Sequence, residues 1–195
     1  MMKRILRASG LIALALLGSL PASADDTAIE SELDAYWRSV EQYLAAGDFD
    51  GVVSTYHPDA VLVSESLDTS YPITRALERW KPGILDTQAG RTFSRVEFRI
   101  TRRLYSESTS HEKGIFHYQS GPVGDDVDES EIDGAYIHFE ALLLKSGDWT
   151  MVMEYQKHPA TEAEWNAAVN PQPAANRPES APQPASSETL PTDSP

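Results

Sequence analysis

Helical spacing over residues 29–84, period-two patterning over residues 93–158 and the segregation of the two along the chain predict an α+β domain built on an antiparallel sheet. Thr27 and Glu30 form a capping-box pattern, and Ile29, Leu33, Trp37, Val40 and Leu44 then recur at helical spacing until Gly47 closes the first helix. Asp48 caps a short second helix with Phe49, Val52, Val53 and Tyr56 on one face, stopped by His57-Pro58. Residues 60–64 are apolar and β-branched, a run long enough only for a strand. Pro72 suits the first position of a third helix carrying Ile73, Leu77, Trp80 and Ile84, which Pro82 must kink or end. Four main strands follow, over 93–104, 111–119, 135–145 and 149–158.

A tight turn at Ser146-Gly147 sets the pairing of the last two strands. Leu143 then opposes Thr150, Ala141 opposes Val152, Phe139 opposes Glu154 and Ile137 opposes Gln156, all on one face. The other face carries His138, Glu140, Leu142, Leu144, Trp149, Met151, Met153 and Tyr155. Both faces are largely apolar, so both should be covered.

The ends of the chain read differently from its middle. Lys3, Arg4 and Arg7, an apolar run over 11–20 and the small residues Ala22 and Ala24 form a secretory leader over residues 1–24, cleaved after Ala24. The apolar run is about half the ~20 residues that a bilayer span needs. The expected product is periplasmic or secreted, with no membrane span in the mature form. Residues 25–169 are the expected domain, and residues 170–195, rich in proline and poor in apolar side chains, are an expected disordered tail. The chain has no cysteine, so its core alone must hold it.

The formal charge is −14, and removing three basic and no acidic residues with the leader takes it to −17. Nucleic acid and anionic lipid are therefore poor partners. Arg91, Arg95, Arg99, Arg102 and Arg103 do cluster, but they alternate with apolar residues and read as the wet face of a strand.

Residues 36–64, YWRSVEQYLAAGDFDGVVSTYHPDAVLVS, resemble the opening of the nuclear-transport-factor-2-like superfamily, in particular its SnoaL-like and ketosteroid-isomerase-like branch. The shared features are the Ala-Gly-Asp turn at 46–48, the aromatic and proline before Asp59-Ala60, and the strand after them. The resemblance implies a curved sheet wrapped around the long first helix, an apolar cavity inside the cone, and a homodimer through the outer sheet face. On that arrangement Trp37, Val40, Leu62, Ser64, Tyr118, Phe139, Glu154 and Gln156 face the cavity and a small, largely apolar molecule.

The steroid-isomerase branch uses a tyrosine on the first helix, an aspartate ending the first strand and an acid on the penultimate strand. Laid over this chain those positions fall on Val40, Ser64 and Phe139, which cannot do the work of the base and the oxyanion donors that this chemistry needs. Glu154 is the informative carboxylate, because an apolar row would desolvate it and favour its neutral form. It serves as the candidate acid/base of a lyase-, isomerase- or hydrolase-like enzyme, or contacts a bound molecule, or bonds Tyr118 as a structural group. The five histidines lack metal-ligand spacing, and the acidic loop from Asp125 to Asp133 has Glu131 where a calcium loop needs glycine. No motif calls for a cofactor or a metal. A binding protein, an enzyme and a protein-interaction module are the three readings left open.

Overall fold

The structure, a computed structural model, describes residues 24–124 and 127–168. The predicted leader up to residue 23, Asp125 and Asp126 of the acidic loop, and the predicted tail lie outside the described residues. Helix α1 (Ala24–Ala46) starts ahead of Thr27, so the predicted capping box falls inside the helix rather than at its end. Its buried stripe is Leu33, Tyr36, Trp37 and Val40. Gly47 terminates it in the left-handed region, as the sequence predicts. Asp48 caps α2 (Phe49–Ser54), its carboxylate accepting from the Gly51 N–H at 2.9 Å.

Helix α2 ends sooner than its apolar spacing predicts, and Tyr56 belongs instead to β1 (Tyr56–Ser64). A short strand that the sequence reading missed, β2 (Thr69–Pro72), pairs antiparallel with β1. Helix α3 (Ile73–Gln88) follows at once and continues through Pro82. Long strands β3 (Thr92–Tyr105), β4 (Thr109–Pro122), β5 (Asp133–Ser146) and β6 (Asp148–Pro159) complete a six-stranded curved sheet ordered β2-β1-β6-β5-β4-β3. Its β1–β6 pair is parallel, so the sheet is mixed rather than purely antiparallel. A fourth helix, α4 (Glu162–Ala167), was not foreseen.

Helix α1 lies on the inner face against β3 and β6, and α3 against β1 and β3. Two cores result. One joins α1 to β5 and β6 through Leu33, Phe139, Leu143 and Met151. The other seats α3 on β1 through Leu62, Ile73, Ala76 and Leu77. Leu33, Leu62 and Leu143 are 0% exposed, and each contributes roughly 1.5–3 kcal/mol by burial.

Two bulges decide which side chains point inward. In β3, Ile100 opposes Gly114 and Arg102 opposes Lys113, leaving Thr101 as the extra residue. Beyond it the parity is inverted, and Arg103 faces inward with its side chain 5% exposed. The expected wet arginine face therefore fails at this residue. Gly114 belongs to the same device, since a Cβ there would stand 2.2 Å from the Arg99 carbonyl oxygen.

The second bulge lies in β6. Ser146 opposes Asp148 across Gly147, which slips the pairing by one from the predicted register and brings Leu143 opposite Met151. Trp149 and Met151 are thereby buried against the α1 core rather than placed on the outer face. Val152 is then an extra residue, and the next partners are Leu142 with Met153, Ala141 with Glu154 and Phe139 with Gln156. The slip and the bulge cancel in parity, so Glu154 and Gln156 face inward as predicted, although opposite other partners.

The outer face is divided. At one end α4 lays Trp165, 5% exposed, over the sheet, with the Arg99 guanidinium carbon 4.1 Å above its ring centroid and His117 and Tyr136 beside it. At the other end Leu104, Leu142 and Leu144 are exposed.

Candidate functional site

Between the sheet and its helices lies a cavity of about 480 Å³. Its floor is aromatic: the Trp37 ring lies 4.5 Å from Phe98 and 5.4 Å from Phe139, and Phe116 lies 5.8 Å from Phe139. Helix α1 adds Val40 and Leu44, and α3 adds Arg79, Trp80, Gly83 and Ile84. Arg79 and Gly83, one turn apart, are exposed while lining the cavity, and so mark its opening.

The interior holds one carboxyl. Glu154 is buried, its Oε2 accepting from the Tyr56 hydroxyl at 2.6 Å and its Oε1 from Gln156 Nε2 at 2.6 Å. The first residue of β1 and two inward residues of β6 thus converge, because Tyr56 and Met151 are neighbours across the parallel β1–β6 pair. Burial pushes the Glu154 carboxyl above its ordinary value, and the two hydrogen bonds only partly offset that. Burial and the neighbouring Glu154 charge push the Tyr56 phenol well above its own. Ser94 and Tyr118 are further hydroxyls on the wall, and Ser94 Oγ accepts from Thr87 Oγ1 at 3.0 Å.

Six of the eight sequence-predicted site residues line this cavity: Trp37, Val40, Tyr118, Phe139, Glu154 and Gln156. Leu62 and Ser64 do not. They face inward beside Glu154 and Gln156, but Leu62 lies in the core that α3 covers, and Ser64, 3% exposed, faces Ser66 at 3.2 Å between hydroxyl oxygens. The hydroxyl on Glu154 comes from Tyr56, not Tyr118. Sequence reasoning missed Tyr56 because its spacing from Val52 suits a helix; the stop at His57-Pro58 was the signal that could have placed it at a strand start. It also missed Arg79, which lies off the apolar stripe of α3.

Beneath the floor sits a second buried carboxylate. Glu112, 0% exposed, accepts from Trp37 Nε1 at 2.8 Å, Ser110 Oγ at 3.0 Å and the Arg103 guanidinium at 3.1 and 3.2 Å. Arg103 also donates to Asp34 at 2.8 Å. This ion-paired cluster fixes the indole that forms part of the cavity wall. Among the described residues no group of three or more His, Asp or Glu side chains is placed to hold a metal ion.

No family model matches the sequence, and no curated protein matches it. Solved structures do match. A conserved protein from Planctomyces limnophilus superposes with a TM-score of 0.54 at 12% identity, over 69% of this chain and 99% of that one. An NTF2-like protein of unknown function from Shewanella oneidensis gives 0.52 at 14%, over 67% and 99%. A protein from Streptomyces avermitilis, described as a proposed dehydratase of the NTF2-like family, gives 0.52 at 15%, over 70% and 99%. Likeness at such identities shows the fold, and the fold is the nuclear-transport-factor-2-like cone.

Proposed function

We propose that this nuclear-transport-factor-2-like cone is exported and shelters a small, largely apolar molecule that offers a hydrogen-bond acceptor to its inner end. The observation that carries the reading is the Tyr56–Glu154–Gln156 cluster set in a largely aromatic and aliphatic cavity of about 480 Å³. That volume falls within the range of sites for small molecules. Burial favours the protonated carboxyl. A protonated Glu154 has an O–H that a ligand oxygen or nitrogen can accept. Export is supported by the basic, apolar and small-residue succession of the first 24 residues.

The test is native mass spectrometry of the chain recovered from the envelope fraction of its own host. The expected result is a protein beginning at Asp25 that retains a small-molecule adduct. Gly83→Phe should remove most of the adduct without unfolding the protein: a Cβ at Gly83 meets no atom within 4 Å, and phenylalanine in a helix is no worse than glycine. Chain beginning at Met1, or adduct equal in wild type and Gly83→Phe, would refute export or cavity binding respectively.

A second reading, an enzyme with Glu154 as acid/base, is favoured by the same buried carboxyl, pushed above its ordinary value, and by the fold shared with the Streptomyces avermitilis protein. Glu154→Gln separates the two. An amide keeps a donor, so a binding protein retains its adduct, whereas an acid/base enzyme loses turnover of that same compound.

A further inference from the structure

The cavity opening carries a cation that is left without a counter-ion among the described residues. Arg79 donates through Nη2 to the Tyr71 hydroxyl at 2.9 Å, a neutral partner. Arg75, one turn earlier on α3, places its guanidinium carbon 5.4 Å from the centroid of the same Tyr71 ring, and Arg79 stands 5.8 Å from it. Among the described residues no carboxylate lies within 4.0 Å of either guanidinium. Arg91 is paired with Asp86 and Arg103 with Asp34 and Glu112, whereas Arg38, Arg95, Arg99 and Arg102 also lack a paired carboxylate among the described residues; Arg79 differs from these in lining the cavity. In a chain of formal charge −14, carboxylates are abundant. A guanidinium on the cavity lining, bonded only to a neutral hydroxyl and with a second guanidinium beside the same ring, is therefore poised for an anion from outside.

Resting on the cavity reading above, we propose that the ligand is an amphiphile: an apolar, ring-bearing body inside the cone and an anionic head, carboxylate, sulfonate or phosphate, held at the opening by Arg79 with Arg75 beside it. The body lies along Trp80, Phe98 and Phe116, and the head remains in the half-wet zone where α3 meets solvent. A guanidinium fixed by one hydrogen bond to Tyr71 keeps donors free for a bidentate contact. The overall negative charge works against this selectivity at long range, so any preference for an anion has to arise locally.

The experiment compares two fluorescent dyes of one scaffold on the full chain: anilinonaphthalenesulfonate, a permanent anion, and its neutral parent phenylnaphthylamine. Wild type should bind the anion at one site about tenfold more tightly than the neutral dye at low salt, a preference that shrinks as salt is added. Arg79→Gln should abolish the preference by weakening the anionic dye more than the neutral one, and Arg79→Lys should restore part of it. Circular dichroism checks that each variant is folded. Equal affinities for the two dyes in wild type, or a preference that survives Arg79→Gln, overturns the anionic head but leaves the cavity reading standing. Failure of both dyes to bind overturns the two together.

Discussion

Glu112 and Glu154 are two buried carboxylates on the same inner face of one sheet, and they do opposite things. Glu112 is surrounded by a guanidinium, an indole and a hydroxyl, which together occupy both of its oxygens. Glu154 has only neutral donors, a phenol and an amide. A buried carboxylate that faces a cation is a fastening: it costs desolvation and is offset by its ion pair. A buried carboxyl that faces neutral groups and open cavity lowers its cost by holding a proton, which it can then share. Burial alone therefore identifies neither as functional; the partner set does.

The largest test of this comparison is Arg103→Met. It strands Glu112 without its cation, and should cost about 3–5 kcal/mol in urea unfolding. Replacing the pair together, as Arg103→Met with Glu112→Leu, should recover most of that loss. A single variant losing under about 1 kcal/mol would mean that the Glu112 cluster is no fastening.

The next effect is smaller and depends on pH. The folded value of Glu154 is raised above its ordinary 4.5. Its contribution is therefore complete below that value and is lost as pH rises through the folded one. Glu154→Gln should accordingly be more stable than wild type at about pH 8, with the advantage fading by about pH 4. Thermal unfolding across that range measures it, and a constant difference would remove the premise of a proton-bearing carboxyl.

A third carboxylate sharpens the contrast. Glu140, on the outer face, is pulled upward by partial burial, yet Lys113, Lys157 and His111 outweigh that and hold it at about 2. Its contribution is present above 4.5 and is lost as pH falls through about 2. Glu140→Gln should cost less than about 1 kcal/mol at neutral pH and nothing in strong acid, the reverse of the pH dependence at Glu154. Acid titrations of the two variants against wild type should slope in opposite directions.

The segregation of helices from strands and the inward direction of Glu154 were legible in the sequence, because both rest on periodicity. What escaped it lies where periodicity is interrupted. Arg103 and Met151 were assigned to the wrong face, since a single extra residue inverts an alternation that the sequence itself continues smoothly. Strand β2 is four residues long and ends in the proline that opens α3, so it offered no pattern to read. Leu62 faces the right way but lies under α3, a matter of which helix covers which strand, and no local signal carries that. Helix α4 is a different case. Its Thr161-to-Glu164 capping box, present in full in the structure, was visible in the sequence and passed over.

The extra residue at Val152 has a consequence for how this chain can change its length. Between Gly147 and Glu154, β6 behaves like a message read in twos. Removing Val152 alone would take out the spare residue of the bulge, so that Met153 follows Met151 in regular alternation and Glu154 and Gln156 still face the cavity. Insertions or deletions of two residues would leave that alternation intact. Descendants of this chain that keep Glu154 and Gln156 on the cavity wall can therefore vary in that stretch by even steps, or by the one odd step that removes the bulge itself.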